Sequence, residues 1–306
     1  MNSVDVKYIN LIEKIIKKGN VTDDRTKVGI TMITNQVFKL NIAKHGFPLI
    51  SVKKTNYDFV VKELLWFLSG STNVEVLQGQ GVHIWDNDIN PQKVNTYPYG
   101  GFIYGHAWRH FGSADFKSGG DHGFDQINYI ITCFDEYMKG NHKNDRRIMM
   151  SSWQADKLDK MALPPCHVSC QFSINYVDNC VDNCVNQVDC LVYQRSCDVM
   201  LGLPFNIAMY ATLLEIICMI SSNRSQGKFS FKPGKLTFAI GNCHIYNNHL
   251  NSIDDIRAAA TKLRDSPSSV PKIRLVRPLD NIDDLTLADI ELIDYAPQKY
   301  IKMQLN

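Results

Sequence analysis

An α+β fold is predicted by three observations: helical and strand periodicities are intermixed, no regular βαβ rhythm orders them, and no linker or composition shift divides the 306 residues. Length alone would also allow two domains. The continuous patterning favours one domain over 1–306, built on a large mixed β-sheet flanked by helices. With 44% hydrophobic, 21% charged and 10% aromatic residues, the chain can bury a sizeable core, which excludes disordered and collagen-like classes.

The elements follow in order. Tyr8, Leu11, Ile12, Ile15 and Ile16 recur at helical spacing, with Lys17 and Lys18 in the last turn and Gly19 as the stop. Residues 28–40 are rich in β-branched and aromatic side chains and predict a strand, and a second short strand is expected at Leu49–Val52, after Gly46-Phe47-Pro48. Phe59–Leu68 is apolar nearly all round, a mostly buried helix in which Glu63 needs a chemical reason. Turn formers crowd 86–101 and 112–123, and these two loops bracket the aromatic cluster Tyr104–Phe111. Ile127–Lys139 reads as a helix, while Arg147–Trp153, His167–Tyr176 and Leu191–Arg195 read as strands. Val177–Cys180 is repeated as Val181–Cys184, which predicts an inserted hairpin loop at about 177–190. The run Ile207–Ile220 is shorter than a bilayer span and carries Glu215, so it is expected to be a buried helix.

Charge and cysteine usage narrow the function classes. Thirty-three Lys and Arg balance thirty-one Asp and Glu, so no global field favours nucleic acid or an anionic membrane, and an anion site must be built from local cations. Nine scattered cysteines behind an N-terminus without an apolar signal segment point to reduced thiols and a cytoplasmic protein. Cys180, Cys184 and Cys190 lack paired C-x₂-C spacing and a completing histidine, so no metal site is expected and a tolerant loop is the better account. P-loop and glycine-rich dinucleotide fingerprints are missing.

Chemistry concentrates in two segments. Cys166 follows Pro164 and Pro165, so its backbone is stiff and its sulfur is aimed with little entropic freedom. That suits a nucleophile, although a buried structural cysteine is the commoner fate. Arg195 and Ser196 adjoin at a strand end and offer several donors suited to a phosphate, with Arg25, Arg146 and Arg147 adding cations. Each alone is more often a solvated charge. Asn206, beside a rigid Pro-Phe turn, carries a carbonyl acceptor and an NH₂ donor that match the O4 and N3–H edge of uracil, and alone it is an ordinary turn residue.

In order along the chain stand DRT (24–26), KELLWFL (62–68), HIWD (83–86), YGHAWRHFG (104–112), DRRI (145–148), LDKMALPPCH (158–167), YQRSCDVMLGLPFNIA (193–208) and CHIYNNH (243–249). On these motifs the chain resembles the thymidylate synthases from about Tyr8 to Met303, and the block around Arg195 and Asn206 is the most specific. The resemblance implies reductive methylation of dUMP to dTMP, with 5,10-methylenetetrahydrofolate as one-carbon and hydride donor, and a homodimer that packs sheet on sheet. It implies Cys166 as the thiolate that adds to C6 of dUMP, with Arg195 beside it. Arg25, Gln194, Arg195 and Ser196 would bind nucleotide, together with Arg146 and Arg147 reaching across from a second subunit. His244 and Tyr246 match the pair on the deoxyribose hydroxyl, and Asn206 matches the reader of the uracil edge. Glu63, Tyr104 and His167 match the residues of a water and proton network. Ile84, Trp85, Leu163, Asp198, Gly202 and Phe205 match the folate side, with Lys53 toward the glutamate tail and Asp198 also counted among the catalytic set. Binding to its own message, known of some members, has no signature in these residues.

The chain departs from the pattern at several places. Asp88 stands where the family usually has a second tryptophan, Asn242 replaces an aspartate, and Lys302–Asn306 replaces a small-apolar tail ending in valine. The tail bears on product, because related enzymes admit water at the last step and release a 5-hydroxymethyl nucleotide. A dUMP hydroxymethylase on the same scaffold is therefore the alternative reading. A catalytically silent nucleotide- or RNA-binding relative is the third, and the intact Cys166, Glu63, Tyr104, Arg195 and Asn206 argue against it.

Overall fold

A computed structural model describes residues 1–24, 26–117, 123–176 and 184–305. Its elements are α1 (Ser3–Lys18), β1 (Asn20–Thr22), β2 (Ile30–Asn41), α2 (Ile42–His45), α3 (Tyr57–Leu68), α4 (Glu75–Gln78), α5 (Tyr104–Arg109), α6 (Gln126–Met138), β3 (Met149–Ser151), β4 (His167–Tyr176), β5 (Cys184–Asp198), α7 (Gly202–Arg224), β6 (Phe229–Tyr246), α8 (Ile253–Asp265), β7 (Lys272–Leu275) and β8 (Ile290–Ile293). Six strands form one mixed sheet in the order β1-β2-β6-β5-β4-β3, and β7 pairs with β8 in a small second sheet. Within the large sheet every pair is antiparallel except β5–β6. Parallel neighbours need a crossover. Helix α7 supplies it and packs against both strands.

Strand alternation places Phe38, Leu40, Phe172, Val192, Leu236 and Phe238 in the core. Helix α7 is apolar on every side because it is enclosed, and Leu203, Ile207, Leu213, Leu214, Ile217 and Ile220 are all buried. The helix runs 23 residues, longer than the Ile207–Ile220 run predicted, and is long and apolar enough to cross a membrane, yet 78% of its most apolar window is buried inside this fold. The opposite face of the sheet leaves Val37, Met149, Leu191 and Tyr193 exposed. Val37, Ala239 and Tyr193 stand in register across β2, β6 and β5, so these side chains form part of one uncovered surface.

Several expectations are corrected. Leu49–Val52 is not a strand: the Asp5 carboxylate of α1 accepts from the Ser51 and Val52 amides at 2.7 and 3.1 Å and satisfies the backbone without a ladder. The Arg147–Trp153 strand shortens to Met149–Ser151. The aromatic cluster from Tyr104, for which no element was predicted, forms a short helix. Strand β5 begins at Cys184 rather than Leu191, because Asn186–Val188 pair on one side with β4 and on the other with β6. Residues 177–183 of the tandem insert, including Cys180, lie outside the described residues, as does Arg25.

Two backbone features aim the site. Pairing of β4 with β5 is irregular between His167 and Ser169, immediately after Cys166. A break of that kind re-aims the neighbouring side chains. Gly101 has φ +78°, and a Cβ there would lie 1.9 Å from Lys160 O, so only glycine allows the close approach. Through it Ala162 N donates to Gly100 O at 2.9 Å, which docks the segment leading into Leu163-Pro164-Pro165-Cys166.

Candidate active site

Cys166 is half-buried at the entry to β4. Its amide donates to Tyr104 Oη at 2.7 Å, and its carbonyl accepts from Arg195 N at 2.9 Å. The Arg195 guanidinium donates to Pro165 O through Nε at 2.8 Å and to Pro164 O through Nη2 at 2.7 Å, while Nη2 stands 4.0 Å from Cys166 Sγ. A guanidinium only donates, and the two proline carbonyls are the acceptors it meets. One side chain thus fixes the backbone that aims the sulfur and sets a positive charge beside it, the arrangement that favours a thiolate. Stacking of the guanidinium over Trp153 at 5.7 Å holds it from the other side.

Behind the sulfur lies an aromatic wall. Tyr104 is stacked between Phe67 and His167, with ring centroids 4.7 and 4.2 Å away. Burial raises the Tyr104 phenol well above its ordinary value, so the hydroxyl keeps its proton. His167 Nδ1 and Tyr210 Oη are 2.8 Å apart, and burial lowers the ring to about 3, so His167 is neutral across the working pH range. The group poised for proton transfer is Glu63. Burial raises it to about 7, opposed by the hydrogen bond that Trp85 Nε1 donates to Glu63 Oε1 at 2.7 Å. Trp85 also meets Tyr104 edge-on at 5.9 Å. Contacts therefore join Glu63, Trp85, Tyr104, His167 and Cys166 into one continuous cluster.

Strands β5 and β6 carry the second half of the set. Ser196 stands in register with Asn242 and Asp198 with His244. Asn242, in place of the family's aspartate, still holds His244: its Oδ1 accepts from His244 Nδ1 at 2.9 Å, a neutral bond where a carboxylate would make a charged one. Tyr246 packs edge-on against His244 at 5.1 Å. Gln194 is fully buried, and neither of its amide atoms has a hydrogen bond among the described residues. Asn206 is half-buried on the second turn of α7, one turn before Tyr210. It therefore shares a helix face with the hydroxyl that meets His167.

Among the residues expected on the folate side, Asp198 accepts at Oδ1 from Met200 N at 2.9 Å. Lys53 is buried; burial lowers its ammonium to about 8, and the charge of Asp198 opposes that shift. Lys53 is thus enclosed in the fold, within reach of the charge of Asp198. Ile84, Leu163 and Phe205 are half-buried against the core, and Gly202 opens α7 four residues after Asp198. Arg146 and Arg147 are exposed on the loop before β3. Within the one chain they are not joined to this cluster by any described hydrogen bond or ion pair.

Sequence reasoning missed Phe67, Trp153 and Tyr210. Phe67 and Tyr210 had a usable signal, since each lies four residues beyond a singled-out residue, Glu63 and Asn206, on the same helix face. Trp153 had none, because its position under Arg195 depends on how β3, β4 and β5 align.

The thymidylate synthase family profile matches residues 6–306. A thymidylate synthase of Saccharomyces cerevisiae is 33% identical over 317 residues, covering 100% of this chain and 98% of the relative. Bifunctional dihydrofolate reductase-thymidylate synthases of Zea mays and Leishmania major are 36% and 35% identical, covering 98% and 99% of this chain, which spans 54% and 55% of their lengths. With Glu63, Trp85, Tyr104, His167 and Arg195 gathered around Cys166 and the family profile matching residues 6–306, the chain belongs to the thymidylate synthase family.

Proposed function

We propose that the protein converts dUMP and 5,10-methylenetetrahydrofolate to dTMP and dihydrofolate. The observation that carries this reading is the Cys166 sulfur held 4.0 Å from Arg195 Nη2 on a backbone clamped by Arg195 and Tyr104. A thiolate there adds to C6 of the pyrimidine and makes C5 nucleophilic, and the same polarisable sulfur leaves again at the end. Ser196 and the Arg195 donors not used on Pro164 and Pro165, with Arg25, take the 5′-phosphate. Asn206 reads N3–H and O4, and His244 with Tyr246 takes the deoxyribose hydroxyl. Glu63, able to hold or release a proton near neutrality, moves protons at the pyrimidine carbonyl and the folate nitrogen. Tyr104, which keeps its proton, serves as a relay rather than as a phenolate base. The folate-side residues suit a flat, partly polar ligand: Trp85, Leu163 and Phe205 give apolar surface, and Asp198 and Lys53 give charge. When bound there, the cosubstrate supplies a one-carbon unit and then a hydride.

The uncovered sheet face around Val37, Leu191 and Tyr193 supports a homodimer that packs sheet on sheet, with Arg146 and Arg147 completing the phosphate site of the neighbouring copy. The thiols of Cys133, Cys166, Cys170, Cys190, Cys197, Cys218 and Cys243, in no disulfide among the described residues, support a cytoplasmic location.

Incubation with dUMP and methylenetetrahydrofolate tests the reading: mass spectrometry should find a methyl group at C5, and absorbance should report dihydrofolate in equal amount. A silent mixture would refute it. Exchanging Asn206 for Asp should move the preference toward dCMP, since cytosine offers an acceptor at N3 and a donor at N4, and unchanged uracil preference in kcat/KM would refute the edge assignment. Mixing inactive Cys166→Ser subunits with inactive Arg146→Ala/Arg147→Ala subunits should restore about a quarter of wild-type activity, because half the dimers are mixed and one of their two sites is whole. No recovery after subunit exchange would place those arginines elsewhere.

A further inference from the structure

We propose that His249 is a positioning residue that fastens the C-terminal tail over the reaction site by its main chain. The inference rests on the methylation reading above. His249 lies in the short turn Asn247–Ser252 that follows β6, and it is 1% exposed. Its Nε2 is 2.7 Å from Gln304 O. A carbonyl only accepts, so Nε2 carries the proton and donates it. At the next residue of the tail, Asn87 Nδ2, two residues along from Trp85, donates to Leu305 O at 3.4 Å. Just before these two points Ile301 and Met303 pack against the core.

The far side of the same imidazole faces the ligand groups. Nδ1 is 3.9 Å from Asp198 Oδ1, and the ring meets Tyr246 edge-on at 5.7 Å. One ring thus touches the tail, a folate-side carboxylate and a deoxyribose-side phenol. A displaced tail frees the ring and a displaced ring frees the tail, so closure and a correctly placed Asp198 accompany each other. Both described tail bonds use carbonyl oxygens, which every residue type offers. That is how a tail ending Gln-Leu-Asn closes in place of a small-apolar one.

Closure decides which nucleophile reaches the last intermediate. The exocyclic methylene on C5 accepts hydride and becomes methyl, or accepts hydroxide from water and becomes hydroxymethyl. In both cases the C6–S bond breaks and Cys166 leaves as thiolate, but only hydride transfer yields dihydrofolate. Loosening the latch admits water.

The test compares full-length enzyme with His249→Leu, His249→Gln, Asn87→Ala and a chain ending at Met303. Mass spectrometry measures 5-hydroxymethyl-dUMP against dTMP, and carboxypeptidase release of the last residues from ligand-free enzyme reads tail docking without chemistry. His249→Leu, Asn87→Ala and the truncation should each raise the hydroxymethyl share by about three- to tenfold, the effect of one lost hydrogen bond. His249→Leu and Asn87→Ala should also speed tail release. His249→Gln, whose amide nitrogen can reach the Nε2 position, should restore both readouts. Combining His249→Leu with the truncation should give no more than either alone. The latch is overturned if the variants fold and only slow the reaction with dTMP as sole product and unchanged tail release, or if the double effect is the product of the singles. Wild-type enzyme that forms no dihydrofolate would overturn the methylation reading instead, and the tail-release result would still decide the latch.

Discussion

Serine at position 166 reduces kcat by on the order of 10⁴-fold or more while dUMP still binds, measured by single-turnover kinetics and equilibrium dialysis. An alcohol is a far poorer conjugate nucleophile and leaving group than a thiolate, and the Arg195 charge, at 4.0 Å, does not ionise it at neutral pH. Binding survives because the frame around the sulfur is made from main-chain groups. Tyr104 holds the residue 166 amide and Arg195 holds the Pro164 and Pro165 carbonyls, and none of these bonds involves the sulfur. Substantial residual turnover would remove Cys166 as nucleophile. Lost binding would mean that the thiol itself shapes the nucleotide pocket.

Glutamine at position 63 lowers kcat by about 10²- to 10⁴-fold, the usual range for a lost acid-base group. Its remaining carbonyl can still accept from Trp85 Nε1, so the effect isolates proton transfer from packing. In the wild type, the limb of the kcat profile governed by a group at about 7 should be present, and in Glu63→Gln it should vanish. Stability moves the other way. Burial raises the folded-state carboxyl from 4.5 to about 7, so the native protein holds a proton that the unfolded chain releases between those values. Glu63 is fully accommodated below about 4.5 and increasingly costly as the pH rises through 7, by up to ~3 kcal/mol. Glu63→Gln should therefore melt higher than wild type at pH 8 and show a smaller gain at pH 5, checked by calorimetry at both values. Equal melting at pH 8 would mean that the carboxyl is solvated in the native state. A catalytic group held at a cost in stability is a familiar trade at active sites.

Burial also separates groups that the sequence placed side by side. Glu63, Tyr104 and His167 all belonged to one expected proton network, but only Glu63 changes charge near neutrality. His167 sits against Phe67, Tyr104 and Tyr210, so no solvent reaches the imidazolium form. The tyrosine is enclosed in the same way, and its hydroxyl already accepts from the Cys166 amide. Burial depth set these differences, and no spacing rule in a single chain reports burial depth for residues brought together from three elements.

Periodicity located α1, α3, α6 and α7 and the strands β2 and β4, because those signals are local: a buried helix face or strand face must recur at its own period. The Leu49–Val52 error had a physical origin of the same kind seen from the other side. Leu49, Ile50 and Val52 around a single serine are consistent with a strand, and only a carboxylate from α1 turns the segment into irregular buried chain.

Unaided, the sequence determined the layer class and singled out the stiff Pro-Pro-Cys segment as a candidate nucleophile, the Arg-Ser end of β5 as candidate phosphate donors and the amide of Asn206 as a candidate base reader, since each follows from residue chemistry and short-range order. Only the tertiary structure decided that Arg195 spends its guanidinium on the two proline carbonyls as well as on charge, that Asn242 keeps His244 fastened without a formal charge, and that His249 reaches Gln304 across 55 residues of chain. These are contacts between separate elements. Their geometry depends on strand register and helix packing, which the chain settles only when its core closes.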